Sequence, residues 1–147
     1  MTSSPAELFL SHSTADGPAA LALAETLRRH GVPVWYAPDR LVGSELWIDE
    51  IGAALDRCDW FLVLVSSQTR NSFWVKREIQ YALTQGRLVG RITAVVVDST
   101  DARDLSWVFQ TVQQIREADF TQSARQVLRM WGIGLDASKL ATPGDPS

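Results

Sequence analysis

The sequence is poor in the residue types that build covalent crosslinks and metal sites. Its 147 residues include one cysteine, Cys58, and two histidines, His12 and His30. A single cysteine excludes an internal disulfide and any zinc site that needs several cysteines. Two histidines far apart in the chain do not form a recognisable pattern of metal ligands. We therefore expect no metal site.

The chain also lacks the short motifs of several common enzyme classes. It contains no GxxxxGK[ST] loop, no GxGxxG and no GxSxG, so the fingerprints of nucleotide triphosphatases, dehydrogenases and serine acyl-transfer enzymes are absent. A phosphoacceptor receiver domain needs an acidic pair after its first strand and an aspartate after its third. Ser11-His12 and Ser66 occupy those places, which excludes that reading.

Neither charge nor hydropathy indicates a nucleic-acid or membrane surface. The net charge is −3, and no segment of the sequence concentrates lysine and arginine into a basic cluster. Long apolar runs such as Trp60–Val65 are far too short to cross a bilayer. The first residues, MTSSPAELF, contain neither a basic segment nor a long apolar one. We expect a cytoplasmic protein that contacts no nucleic acid directly and no membrane.

Apolar periodicity predicts an alternation of strands and helices. Strands are expected over 7–11, 32–37, 59–67 and 91–98, with a weaker one beginning at 113. A helix is expected after the first, second, third and fifth strands, and a polar connection after the fourth. Such an α/β pattern predicts a five-stranded parallel sheet with helices on both faces. We expect an N-terminal extension (1–6), one domain (7–134) and a flexible tail or linker to a missing domain (135–147), because the chain ends in ATPGDPS.

Ligands of such sheets bind at the carboxyl ends of the strands, near the switch in strand order. Three predicted loops leave those ends, at 11–17, 37–44 and 66–73. They bring hydroxyl groups together with the aromatic side chains of Trp35 and Tyr36, which could stack on a planar ring. Tryptophan and tyrosine at strand ends are, however, commonly plain core or rim residues. Both interpretations remain open from the spacing.

Glu78 is the most unusual carboxylate in the chain. In SFWVKREIQYAL (72–83) the apolar residues recur at helical spacing, and Glu78 lies at the edge of their stripe, four residues after Trp74. No basic residue stands three or four positions away from it. A partly desolvated carboxylate can stabilise an oxocarbenium-like state as a glycosidic bond breaks. A structural role is the alternative.

Three segments in order resemble the Toll/interleukin-receptor (TIR) domain family, over about residues 7–133. ELFLSHS resembles the first-strand motif of the family. LRRHGVPVWYAPDRLVGSELWIDEIGAAL resembles the second strand and the loop after it, and DWFLVLVSSQTRNSFWVKREIQYAL resembles the third strand and the helix with the acidic residue. Ser-His-Ser together with Gly43 and Trp47 is most similar to the bacterial NAD-cleaving branch.

The resemblance implies a flavodoxin-like three-layer sandwich and cleavage of NAD+ at its nicotinamide–ribose bond. By the same resemblance Glu78 is the catalytic residue. The implied substrate-binding residues are Trp74, Trp35, Tyr36, Ser11, His12, Ser13, Thr14 and Ser44. The loop with Arg40, Leu41 and Gly43 is implied to gate the site and to support assembly.

The function that the resemblance implies is a NAD+ glycohydrolase or ADP-ribosyl cyclase, activated by self-assembly in immune, anti-phage signalling. NAD+ is then a substrate, so no cofactor is expected, and the partners are NAD+ and other TIR domains. The alternative is a non-catalytic module for TIR–TIR interaction. Thr14 and Ala37 depart from the family pattern, where many members have a charged residue and an aspartate respectively.

Overall fold

The computed structural model describes residues 4–36, 45–69, 72–98, 110, 112–117 and 119–143; the side chains of residues 45–48, 73 and 74 are outside this description. Strands and helices alternate along the described chain as the apolar periodicity predicts. They are β1 (Leu8–Ser11), α1 (Gly17–Arg29), β2 (Val34–Tyr36), α2 (Glu45–Arg57), β3 (Trp60–Val65), α3 (Phe73–Leu83), β4 (Ile92–Val96), β5 (Gln113–Arg116) and α4 (Phe120–Met130).

The five strands form one parallel sheet in the order β2-β1-β3-β4-β5. This confirms the predicted parallel sheet, and the order is that of flavodoxin-like folds. Every residue of β3 and β4 is buried. Strands covered on both faces need apolar side chains on both, which is why these two read as continuous hydrophobic runs rather than alternating ones.

The alternation of side chains along the strands divides the core into two layers. On one face of the sheet, Leu8, Leu10 and Leu62 pack against α1 and α4. On the other face, Phe9, Phe61 and further strand residues pack against α2 and α3. The result is the expected three-layer sandwich, and every strand residue is thereby assigned to one of two faces.

Helix α1 begins and ends at the residues that its sequence indicates. Pro18 stands in its first turn, where no backbone N–H is needed, and Gly31 follows its end with φ of +88°. A positive φ is a conformation that glycine adopts without steric cost. These two residues fix the length of α1 and the point at which the chain turns back toward β2.

Residues 135–142, which the sequence predicts to belong to a flexible tail or linker, contact the rest of the domain. The Asp136 N–H donates to His30 Nε2 (2.9 Å), and the Ala141 N–H donates to Thr26 Oγ1 (2.9 Å). Leu135 and Leu140 pack against the core layer of α1 and α4. Two spaced leucines give this segment apolar anchors, which the proline and glycine content of the last residues obscured. The packed unit therefore extends beyond residue 134.

The single cysteine, Cys58, is buried. Cys58 is 1% exposed, and burial raises the pKa of its thiol to about 12. A thiol that stays protonated is inert, as expected of a structural cysteine.

Among the described residues, no helix combines the length and the apolar character required to span a bilayer.

Candidate functional site

The candidate site lies at the carboxyl ends of β1 and β3, the two central strands whose following connections run in opposite directions along the sheet. The chain leaves β1 through α1 to reach β2 on one side, and it leaves β3 through α3 to reach β4 on the other. Neighbouring strands whose connections run to opposite sides leave a crevice at their carboxyl ends. Ser11, the last residue of β1, pairs with Val63 of β3. Ser11 therefore stands at this switch point.

Glu78 reaches the switch point from α3. Its side chain is 2% exposed, and the Ser11 hydroxyl donates to Glu78 Oε1 at 3.2 Å. Helix α3 packs over β1 and β3, with Val75 and Ile79 in the core layer beneath it. The sequence placed Glu78 at the edge of this apolar stripe, and the structure buries it there. A carboxylate in such surroundings depends on hydrogen bonds because water cannot solvate it.

The beginning of α3 is fixed by a side-chain cap. Ser72 precedes the helix, and its hydroxyl oxygen accepts a hydrogen bond from the Val75 N–H at 3.3 Å. The cap satisfies one of the backbone donors that the first turn leaves unpaired. Trp74 lies in this first turn, but its side chain is outside the described part of the structure. The cap thus fixes the residue at which α3 begins, and with it the direction in which Glu78 points from the helix.

Trp35 lies on the same face of the sheet as Glu78. Its position on β2 pairs with Phe9 of β1, and the two rings stack with centroids 4.9 Å apart and 25° between planes. The Trp35 side chain packs against the core layer that also includes Val75 and Ile79 of α3. Trp35 is half-buried, so part of the indole remains accessible at the end of the strand.

Tyr36 and His12 lie on the other face. Tyr36 packs against the layer of α1 and α4, with the Arg28 guanidinium carbon 5.2 Å from its ring centroid. The His12 ring centroid is 6.1 Å from that of Tyr36, with 48° between the planes. The sheet therefore separates the two strand-end aromatics, and only Trp35 shares a face with Glu78.

The loop after β1 runs from buried to exposed residues. Ser13 is 4% exposed, whereas Thr14 is exposed and begins a short 3-10 turn that ends at Asp16. The Ser13 hydroxyl donates to Asp16 Oδ2 at 2.9 Å. Ser66, directly after β3, donates to the same oxygen at 2.6 Å. Asp16 thus joins the loops that follow β1 and β3.

Sequence reasoning missed the parts of Asp16 and Ser66 in this site. Asp16, shortly before Pro18, has the position of a helix-start residue in the sequence, but its carboxylate makes no capping hydrogen bond to α1. The two residues are 50 positions apart in the chain. A local pattern carries no information on such a contact. The signal that could have brought them together is their place in the two predicted loops, 11–17 and 66–73, that leave the carboxyl ends of β1 and β3.

Several predicted site residues lie outside the described residues. These are Arg40, Leu41, Gly43 and Ser44. Of the other candidates, Ser11, Trp35 and Glu78 are brought to one face of the sheet, while His12 and Tyr36 meet on the other. Within the residues that the structure describes, no group of three or more histidine, cysteine, aspartate or glutamate side chains is arranged to hold a metal ion.

A cavity of about 400 Å³ lies away from this site. It is found at the amino ends of β4 and β5, where Ile92 and Gln113 begin those strands, and Leu83 from the end of α3 also lines it. Ligands of parallel sheets bind at the opposite, carboxyl edge. The cavity is therefore separate from the candidate site around Glu78.

Comparison with known proteins identifies the family. The family model for the TIR domain matches residues 8–129. The fold is similar to the TIR domain of the Toll-related receptor TRR-2 from Hydra magnipapillata, at TM-score 0.62 and 13% identity, with 84% of this chain and 88% of that one covered. No curated protein matches the chain in sequence.

A second similar structure is a metazoan TIR-STING receptor from C. gigas, in complex with 2′,3′-cGAMP. The TM-score is 0.62 and the identity 18%, and the match covers 80% of this chain but 38% of that one. At such low sequence identities, the similarity to these two structures indicates the fold alone. Since the family model covers most of the sequence, the chain belongs to the TIR-domain family.

Proposed function

We propose that this TIR domain is a NAD+ glycohydrolase, which cleaves the bond between nicotinamide and ribose. The observation that carries the proposal is the buried Glu78 carboxylate at the switch point, held by the Ser11 hydroxyl and on the same sheet face as Trp35. A carboxylate in a site of low polarity exerts a strong field on a developing positive charge. The accessible part of the half-buried Trp35 indole offers a surface for a planar ring.

The reaction needs little from the protein beyond this carboxylate. Nicotinamide in NAD+ already carries the positive charge, so it leaves as a neutral molecule when the bonding electrons move to its nitrogen. The ribose carbon becomes an oxocarbenium-like centre, and Glu78 stabilises this charge and accepts hydrogen bonds from the ribose hydroxyls. Water then adds to that carbon, yielding ADP-ribose and one proton. Attack by a group of the same nucleotide would give a cyclic product instead.

Self-assembly is part of the proposal. TIR domains generally interact with other TIR domains, and the resemblance to the bacterial branch favours an enzyme that is activated when several copies cluster in immune, anti-phage signalling. The loop with Arg40, Leu41 and Gly43 is the proposed contact and gate. No metal or cofactor enters this reaction, since NAD+ is consumed as the substrate.

The test is release of nicotinamide from NAD+ by the clustered chain. Glu78→Gln keeps the size of the side chain and an acceptor for Ser11 but removes the negative charge. We expect it to lower kcat by at least about 100-fold, because the charge acts in the transition state. Glu78→Ala should be as inactive.

Glu25→Ala is the matched control, since Glu25 forms a partly exposed ion pair with Arg28 on α1 (3.3 Å). Its activity should equal that of the wild type. Release that is independent of Glu78, or no release at any degree of clustering, would overturn the proposal. The second result would favour the alternative, a non-catalytic module for TIR–TIR interaction.

A further inference from the structure

The loops after β1 and β3 are joined by one carboxylate oxygen. Asp16 Oδ2 accepts hydrogen bonds from Ser13 at 2.9 Å and from Ser66 at 2.6 Å. Both serines are 4% exposed, so water contributes little to holding them. Hydrogen bonds to an ionised acceptor are stronger than neutral ones, and short distances are typical of them. The hydrogen-bond bridge through Asp16 spans the crevice at the carboxyl ends of β1 and β3.

Each end of the bridge belongs to a loop with its own ordered structure. On the β1 side, the Asp16 N–H donates to the Ser13 carbonyl (3.0 Å) within the 3-10 turn. On the β3 side, Ser66 Oγ accepts from the Gln68 N–H (3.1 Å), and the Ser66 N–H donates to Thr69 Oγ1 (2.9 Å). The bridge therefore connects two small hydrogen-bonded turns rather than two isolated side chains.

The position of Asp16 also affects which ligand groups can approach α1. In sheets of this type, the helix that follows the first strand commonly binds phosphate at its N-terminus. Here a carboxylate stands at that terminus, and Pro18 in the first turn has no N–H to offer. Negative charge and a missing donor both oppose an anion on this side of the crevice. The side with Ser11 and Glu78 remains for the ribose of the substrate, whose hydroxyls can donate to a carboxylate.

We propose that Asp16 is a positioning residue, which ties the two loops across the switch crevice and closes its α1 side to anionic groups. This inference rests on the proposed NAD+ site, because the bridge fixes Ser13 two residues after Ser11, the hydrogen-bond donor to Glu78. Asp16 acts through the loops and does not contact the reacting atoms. Its loss therefore weakens the binding of substrate more than it slows the chemical step.

The experiment compares Asp16→Ala, which removes the acceptor, with Asp16→Asn, which keeps an acceptor oxygen but no charge. The first measurement needs no substrate: hydrogen exchange of the Gln68 N–H, which donates to Ser66 Oγ. We expect faster exchange in Asp16→Ala and in Ser66→Ala, and no further increase in the double variant. Asp16→Asn should restore slow exchange. If the effects of Asp16→Ala and Ser66→Ala on the exchange of the Gln68 N–H were additive, the proposed bridge would be overturned.

The second measurement is KM and kcat for nicotinamide release. Asp16→Ala should raise KM about three- to tenfold, the loss of one or two hydrogen bonds, with kcat changed less than about twofold. Asp16→Asn should have a KM at or below that of the wild type, because the repelling charge is gone. Equal KM values for the two variants, or a loss confined to kcat, would overturn the positioning role.

The two measurements separate this inference from the proposed function. If the wild-type chain released nicotinamide while Gln68 exchanged at the same rate in all variants, the bridge would be wrong and the NAD+ site would stand. If the wild type neither bound NAD+ in calorimetry nor cleaved it, the proposed function and the positioning role would both fall. The exchange rates would then still decide whether Asp16 joins the loops.

Discussion

At the residue scale, Glu78 is a costly group for the fold to keep. Moving a carboxylate from water to a 2% exposed position costs several kcal/mol unless hydrogen bonds compensate. The Ser11 hydroxyl supplies one such bond. Buried ionisable groups in a crevice are enriched at functional sites, because structural needs are met more cheaply by apolar side chains. Its location agrees with the catalytic role that we propose.

The two strand-end aromatics give a prediction at this scale. Trp35→Ala should raise KM for NAD+ more than Tyr36→Ala does, because only Trp35 shares a face with Glu78. It should also lower the free energy of unfolding by about 1–3 kcal/mol, since the indole stacks on Phe9. Kinetics and urea unfolding measure the two effects.

Trp35→Phe is the control, because a smaller ring can still stack on Phe9. It should recover most of the stability and part of the affinity. A larger rise in KM for Tyr36→Ala than for Trp35→Ala would contradict the assignment of faces. Unchanged KM in Trp35→Ala, with stability lost, would show that the indole belongs only to the core.

At the element scale, α3 must be correctly started to place Glu78. The cap from Ser72 to the Val75 N–H supports the first turn, and the apolar stripe holds the helix on β1 and β3. Rotation of a helix by one residue turns its side chains by about 100°, so a poorly fixed start would move Glu78 off the switch point. Capping and function are therefore linked in this helix.

Ser72→Ala should destabilise the protein by about 1 kcal/mol, the usual cost of losing a capping hydroxyl. We also expect a lower kcat, because fraying of the first turn loosens the helix that carries Glu78. Ser72→Thr, which keeps the hydroxyl, should restore both. Thermal unfolding and nicotinamide release are the measurements, and a stability loss without any rescue by threonine would disprove the cap.

The segment after α4 is a second element whose packing can be tested. Thr26 is fully buried, and its Oγ1 accepts from the Ala141 N–H at 2.9 Å. Thr26→Val keeps the shape but leaves that N–H unpaired, so we expect a loss of about 1–3 kcal/mol. Hydrogen exchange of residues 136–141 should rise with it. The exposed Thr84→Val is the control, and it should stay within about 0.5 kcal/mol.

At the scale of the whole molecule, the chain has a small net charge of −3. Charge repulsion between copies is therefore weak, which is compatible with close association. In the proposed function, the folded monomer gains activity from neighbouring copies. Assembly and folding are in that case separate equilibria, with different dependence on concentration.

Assembly gives a prediction for the whole molecule. The specific activity of the purified chain should increase with protein concentration, and tethering the chain densely to beads should raise it further at the same total amount. Local concentration is what changes, so no new contact within the monomer is required. Nicotinamide release combined with sedimentation gives the measurement. Constant specific activity across monomeric and clustered samples would rule out activation by assembly.

The sequence by itself determined the layered α/β sheet. Buried strands such as β3 and β4 must be apolar on both faces, and helices such as α1 carry their own start and stop signals, so local chemistry is sufficient to predict them. The same holds for Glu78, whose place at the edge of an apolar stripe is a property of one helix. The contacts of residues 135–142 with His30 and Thr26 could not be predicted, because they join positions far apart in the chain.

Only the tertiary structure decided which candidates stand together. Trp35 and Tyr36 are neighbours in sequence, but alternation along a strand sends them to opposite faces, and the pairing of β2 with β1 places Trp35 on the face that holds Glu78. Asp16 and Ser66 meet because β1 and β3 are adjacent in the sheet. Strand order is a property of the packed whole, and no local pattern encodes it.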